Sequence, residues 1–249
     1  MSNNIVSLIA NLRKNNVSNN CNNTDFDSIT IDQAYNIQKE VIRSLGHEVI
    51  GWKLGGTNIK TRNTFNVEEL YWGPIFDGNI TDKPLELTLK RGEVEVAFKL
   101  NSNIDNLDHK ICANDLALYI DSVALSVEFP WSVFNSFGSA GVLALISDCC
   151  ASGQCFVGEA IAFDEFSGFS KMTISVDGEA IESCTTDNLV DGVYSTVCDF
   201  INMSDEKGFS LSGGQWVFTG GLSSCKMYDS GDVVEITCDS LADITFQVK

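Results

Sequence analysis

The period of the apolar positions changes near residue 49. In "TIDQAYNIQKEVIRSLG", Ala34, Ile37, Val41 and Leu45 recur at helical spacing as one stripe, flanked by Tyr35 and Ile42. Thr30 with Gln33 reads as a capping box, and Gly46 as the residue that ends the helix. Ile5–Leu12 predicts two earlier helical turns, followed by the Asn-rich loop "NNVSNNCNNTDFDS". From Val49 onward the runs are short and strand-like: "VIGWKLGG", "LELTLKRGEVEVAFKL", "KMTISVDGEAIES", "QWVFTGG", "DVVEITC" and "DITFQV". Asp177-Gly178 between two alternating runs marks a hairpin. Two further helices are predicted, at about Asn114–Leu125 and Leu189–Ile201. No regular alternation of strand and helix runs through the chain, so a doubly wound parallel sheet is not expected. The pattern predicts an α+β fold with a mixed, mostly β core and helices packed outside it. A helical N-terminal segment (1–48) would precede a β-rich core (49–249).

Composition narrows the function. The 249 residues are 44% hydrophobic, enough for a sizeable core. Sixteen basic against 34 acidic residues give a net charge of −18, which argues against nucleic acid and anionic lipid as partners. The nine cysteines are odd in number and no secretory signal precedes them. No second Cys-x-x-Cys accompanies them, and the two histidines, His47 and His109, complete no zinc pattern. They read as reduced thiols of a cytoplasmic protein. No run approaches 18 apolar residues, so no membrane span is expected.

The candidate chemistry lies in "GEVEVAF" (Gly92–Phe98). Glu93 and Glu95 fall on one face of a strand, about 7 Å apart along it. A solvated strand with valines inward accounts for this pattern. So does a hard-cation site, if a third oxygen ligand comes from elsewhere in the chain.

Six segments in order resemble the 2-keto-4-pentenoate hydratase / 4-oxalocrotonate decarboxylase branch of the fumarylacetoacetate hydrolase superfamily. They are "ITIDQAYNIQKEVIRSLGHEVIGWKLGGTN" (Ile29–Asn58), "YWGPIFDGNI" (Tyr71–Ile80), "GEVEVAF", "ALSVEF" (Ala124–Phe129), "ISDCCASG" (Ile146–Gly153), and the closing pair "VFTGGL" (Val217–Leu222) with "YDSGDVVEI" (Tyr228–Ile236). The resemblance implies a β roll or sandwich core like that superfamily's C-terminal domain. It implies Glu93, Glu95 and Glu128 as ligands of Mg²⁺ or Mn²⁺, and Lys53 with Asp77 as a proton-transfer pair. Substrate contacts fall to Thr219, Gly220, Leu222 and Ser152. The implied substrate is a small 2-oxo acid, chelated through its carboxylate and its keto or enol oxygen.

Three functions follow from this resemblance. The first is a hydratase of aromatic-compound catabolism that adds water to a 2-hydroxy-2,4-dienoate, giving a 4-hydroxy-2-oxo acid. The second is a decarboxylase of 4-oxalocrotonate-type 2-oxo diacids. The third is a catalytically weakened subunit that partners a related hydratase or decarboxylase. A homo-oligomer is expected from the same resemblance. The superfamily's C–C hydrolases use a histidine–glutamate pair, and neither His47 nor His109 falls at a matching place. The chain also departs from the branch: "SCTTDNLVDG" (Ser183–Gly192) replaces a G-H-P stretch, "EFPW" (Glu128–Trp131) lacks a following aspartate, and Cys149 stands where the branch has asparagine. These departures leave the three glutamates intact and bear on the distal end of the substrate pocket.

Overall fold

The computed structural model describes residues 2–18, 26, 28–81, 90–135 and 137–248. Two helices lead the chain, α1 (Ser2–Lys14) and α2 (Ile31–Leu45). In α2 the predicted capping box is formed in both directions: Gln33 N–H donates to Thr30 Oγ1, and Thr30 N–H donates to Gln33 Oε1 at 2.8 Å. Gly46 ends the helix at φ +71°, a conformation that suits glycine. The stripe packs inward, with Ala34, Ile37 and Val41 buried.

A mixed sheet follows. Its strands are β1 (Val49–Gly55), β2 (Tyr71–Phe76), β3 (Ile80–Thr81), β4 (Arg91–Leu100), β5 (Ile120–Phe129), β6 (Gln154–Val157) and β10 (Trp216–Phe218). They lie in the order β2-β1-β10-β4-β5-β6-β3, with β7 (Ile161–Ala162) on β5 and β11 (Lys226–Met227) on β4. The β1–β10 and β3–β6 pairs are parallel. A second sheet has the order β13-β12-β8-β9, from β8 (Lys171–Val176), β9 (Glu179–Thr185), β12 (Val233–Cys238) and β13 (Ile244–Gln247). The β8–β9 turn is the expected hairpin, with Asp177 and Gly178 at φ +50° and +82°.

Connectivity forces the larger sheet to curl. β2 and β3 occupy opposite edges, which in a flat sheet would stand about 29 Å apart at 4.8 Å per strand. The chain from Phe76 to Ile80 spans at most about 14 Å. The side chains agree with this: Ile75 of β2, Ala97, Ala124, Cys155, Val157 and Phe218 form one buried cluster, although their strands lie across the whole sheet. Only a concave face brings them together. Its strands carry small residues at Ala97, Ala124 and Cys155, as a narrow interior requires. The outer face carries Trp52, Leu54, Trp72, Val94, Val96, Phe98, Val127 and Phe129, all within the main core. α2, helix α5 (Val193–Glu206) and the second sheet cover it. Trp72 packs edge-on against Phe200 at 5.7 Å, and Phe129 against Phe246 at 5.5 Å.

Two sequence expectations are corrected. Asn114–Leu125 is not a helix: a short 3-10 turn at Ala113–Leu118 leads into β5. β5 is buried on both faces from Val123 to Phe129, so its apolar run lacks a clear period of two and mimics a buried helix. The helix expected from Leu189 begins at Val193, after Gly192 at φ +76°. α4 (Phe137–Ser147) was not anticipated, because its almost wholly apolar sequence carries no amphipathic stripe. The expected strand residues 85–89 lie outside the described residues. All eight cysteines among the described residues are free thiols, and no helix there is long and apolar enough to cross a membrane.

α1 is anchored by a buried ion pair. Arg13 Nε donates to Asp148 Oδ1 at 2.6 Å, and the same guanidinium donates to the carbonyls of Asp148 and Ser152. Ser132 Oγ and the Val133 N–H satisfy the other Asp148 oxygen. This network holds Cys149, Cys150 and Ala151, three consecutive residues at φ +52° to +54°. Such a left-handed run costs roughly 1–2 kcal/mol per residue, so its surroundings must impose it. Asp148→Ala leaves a buried guanidinium unpaired and is expected to destabilise the protein by about 3–5 kcal/mol. Urea unfolding measures this, and a loss under about 1 kcal/mol would show that the pair is not an anchor.

Candidate metal centre

The alternation of β4 sends Val94, Val96 and Phe98 to the outer core and Glu93, Glu95 and Ala97 to the roll interior. Glu93 pairs directly with Glu128 of β5, and Glu95 with Ser126. The two strands thus put three carboxylates on one concave face. Glu95 and Glu128 have no solvent exposure. A ligand oxygen from each of Glu93, Glu95 and Glu128 lies within 4.8 Å of the others. The solvated-strand reading of "GEVEVAF" therefore fails, because the glutamates point into the roll rather than into water.

Closing segments support this cluster. The Gly220 N–H donates to Glu95 Oε2 at 3.0 Å. Gly221 packs against Glu93, and a Cβ there would stand 2.1 Å from Glu93 Oε2. From β1, Lys53 Nζ reaches Glu128 Oε2 at 3.2 Å. Glu95 Oε1 and Glu128 Oε1 are buried without a hydrogen-bond partner.

Electrostatics follow from burial. Desolvation, with the neighbouring carboxylates adding to it, pushes Glu95 well above the usual carboxylate range. Glu128 is raised to about 7, by burial first, against the pull of Lys53. Glu93 is also raised by burial. For Lys53, burial favours the neutral amine, but Glu128, Glu93 and Glu95 together outweigh it and hold the ammonium. Three carboxylates and one ammonium leave two negative charges, the charge a divalent cation cancels.

The donor set fits such a cation. It offers only oxygen, as Mg²⁺ and Mn²⁺ prefer. Octahedral Mg²⁺ with bonds of about 2.1 Å holds opposite oxygens about 4.2 Å apart, close to the span of this cluster. The two unpartnered buried oxygens are what ligand atoms look like without their ion.

The other expected residues divide. Thr219 is fully buried, but its hydroxyl donates to the Val96 carbonyl at 3.0 Å. The Leu222 N–H donates to the Val94 carbonyl at 2.8 Å. With Gly220, these residues brace β4 from behind. Asp77 is not beside Lys53. Its N–H donates to the Glu48 carbonyl, five strand residues from Lys53 or about 16 Å, and its carboxylate lies 3.5 Å from His47 Nδ1. It lines a separate cavity of about 330 Å³ with Arg13, His47, Trp131, Ser152 and Gln154. Ser152 Oγ, buried and unpartnered, belongs to that cavity. The expected Lys53–Asp77 pair is thus replaced by Lys53–Glu128, because the β1–β2 register carries Asp77 beyond the end of β1.

A cavity of about 160 Å³ opens on Lys53 and Glu93. Its lining includes three residues that sequence reasoning passed over: Thr57, Tyr71 and Arg91. Thr57 Oγ1 is buried without a partner. Arg91, exposed at the start of β4, shares a strand face with Glu93 two residues on, and that spacing was the one signal available in the sequence.

No protein-family model matches the chain. The 4-oxalocrotonate decarboxylase of Pseudomonas putida is 22% identical over 232 residues, covering 89% of this chain and 86% of its own. A solved structure of 4-oxalocrotonate decarboxylase from Pseudomonas putida G7, complexed with magnesium and adipate, superposes with a TM-score of 0.87. That match is 20% identical and covers 98% of this chain and 96% of the other. Fumarylpyruvate hydrolase from Pseudomonas aeruginosa, in complex with Mn²⁺ and pyruvate, gives a TM-score of 0.60 at 14% identity, over 79% of this chain and 88% of the other. Along nearly its whole length the chain is thus similar to 4-oxalocrotonate decarboxylases, and it shares their fold.

Proposed function

We propose that the chain is a divalent-metal-dependent lyase that decarboxylates a 2-oxo diacid of the 4-oxalocrotonate type. The observation that carries this is the Glu93–Glu95–Glu128 set, with Glu95 and Glu128 fully buried, and its partner Lys53. The near full-length likeness to decarboxylases supports that reaction over hydration, which the sequence motifs alone ranked first. Arg91 also supports it. At the mouth of the Glu93 cavity, its guanidinium suits the second carboxylate of a diacid.

The residues take the following roles. Glu93, Glu95 and Glu128 hold Mg²⁺ or Mn²⁺, which when bound supplies a Lewis acid to the substrate's 2-oxo group. Lys53 draws Glu128 toward its ionised form, orients it, and contributes positive charge where an anionic substrate enters. Gly221 leaves Glu93 free to turn toward the interior. Burial of the cluster excludes water, so each charge acts at low dielectric.

Glu95→Gln is expected to weaken Mg²⁺ binding by at least the roughly 10–100-fold that loss of an outer-shell partner costs. Calorimetry showing unchanged affinity would remove Glu95 from the ligand set.

The pH response has a definite sign. The folded-state pKa values of this cluster are raised, so the metal-free folded protein holds protons that the unfolded chain has lost. That contribution to stability is fully present below the ordinary carboxylate pKa and disappears as pH rises through about 7. A bound cation offsets the exposed charge. The gain in melting temperature from Mg²⁺ is therefore expected to be larger at pH 8 than at pH 5.5, and an equal gain at both would contradict the assignment.

The reaction is tested with purified protein, Mg²⁺ and 2-oxohex-3-enedioate, following carbon dioxide and ultraviolet absorbance. Metal-dependent carbon dioxide release, abolished by a chelator, is the expected result. Hydration of a 2-hydroxydienoate without carbon dioxide would establish a hydratase instead. Inactivity on both would favour the weakened partner subunit.

A further inference from the structure

Most polar groups around the 160 Å³ cavity are already engaged. Lys53 is paired with Glu128. The Asn58 side chain accepts from the Thr61 N–H, capping α3 (Ile59–Phe65), and donates to the Gly221 carbonyl. The Thr61 hydroxyl donates back to Asn58. Tyr71 differs. Its residue is 4% exposed, yet its hydroxyl makes no hydrogen bond among the described residues.

The Tyr71 ring is held firmly. It lies over Gly55, where a Cβ would stand 2.4 Å from Tyr71 Cε2 and 2.9 Å from its hydroxyl oxygen. It also covers Gly56, and Phe65 packs edge-on to it at 6.1 Å. The β1–β2 register pairs Gly55 with Tyr71 and Lys53 with Gly73. Tyr71 and Lys53 are therefore diagonal neighbours on one face, a spacing of about 7–8 Å that long side chains bridge. Tyr71 thus lines the cavity together with Lys53, and burial keeps its O–H neutral, where the sequence led us to expect the carboxylate of Asp77.

We propose that Tyr71 is the proton donor of this site, delivering its hydroxyl proton to the enolate that forms when a 2-oxo acid loses carbon dioxide. The proposal rests on the lyase reading above. In the step, the carbon–carbon bond to the departing carboxylate breaks, and its electron pair passes along the conjugated chain to the 2-oxo oxygen. Carbon dioxide leaves, the Tyr71 O–H bond breaks, and a new O–H bond forms at the former 2-oxo oxygen, giving the enol. The phenolate then recovers a proton from solvent through the cavity mouth. No oxidant or reductant is required. Lys53 is tied to Glu128, and Asp77 lies too far along the sheet. The Thr57 hydroxyl, also unpartnered, is a far weaker acid than a phenol.

Tyr71→Phe tests this cleanly, since it keeps the ring on Gly55 and Gly56 and removes only the O–H. Two measurements are made on the Mg²⁺-loaded protein: turnover of 2-oxohex-3-enedioate, and calorimetric affinity for oxalate, a planar mimic of the enolate. The variant is expected to lose about 100-fold or more in kcat with little change in KM. It is expected to bind oxalate about tenfold or more weakly, as loss of a hydrogen bond to a charged group implies. Its Mg²⁺ affinity and melting temperature should match the wild type, which separates the role from a structural one. A variant with kcat and oxalate affinity within twofold of wild type overturns the proposal. If the wild-type protein binds Mg²⁺ and oxalate but releases no carbon dioxide, the decarboxylase reading falls, and the oxalate comparison alone decides for or against Tyr71.

Discussion

Three carboxylates whose oxygens lie within 4.8 Å of one another repel strongly when water is excluded. Lys53 answers only one of those charges. The site can therefore exist in two ways, protonated or with a cation, and burial, which raises the pKa of each glutamate, favours the first until a cation binds. Much of the surrounding architecture serves to keep this unfavourable cluster in place. A curled sheet places β4 and β5 side by side with their glutamates facing inward. The closing segment from Thr219 to Leu222 then locks β4 through Val94 and Val96 on one side and Glu95 on the other.

Glycine makes the crowding possible at two points. Gly221 leaves room for the Glu93 carboxylate, and Gly55 leaves room for the Tyr71 ring. A different device operates at Cys149–Ala151. That segment turns left-handed without glycine, and the buried Arg13–Asp148 pair holds it against Gly73, whose missing Cβ would stand 2.1 Å from the Cys149 carbonyl oxygen. The resemblance places asparagine at position 149, a residue that tolerates this backbone region better than cysteine. The N-terminal helix thus contributes to the site indirectly, by fixing the wall on which Cys150 sits.

Much of this was legible in the sequence because it depends on short-range periodicity. The capping box at Thr30, the helix stop at Gly46, the Asp177-Gly178 hairpin and the shared face of Glu93 and Glu95 each involve residues a few positions apart, where backbone geometry alone sets the relation. The order of motifs extended this to a family resemblance. The reading faltered where local pattern is ambiguous: β5, buried on both faces, resembled a helix, and α4, apolar all round, resembled nothing in particular.

What the amino-acid sequence determined by itself was which residues share a strand or helix face, since a period of 2 or 3.6 is a property of the chain. Which faces meet was decided only by tertiary structure. Register pairs Glu93 with Glu128, turns the glutamates inward rather than toward water, and gives Lys53 the partner Glu128. Register also carries Asp77 into another cavity and sets Tyr71 beside Lys53. Those outcomes depend on hydrogen-bond alignment between strands distant in sequence and on the curl imposed by the short link from β2 to β3. A shift of one residue in either strand would reverse which side chains face the interior.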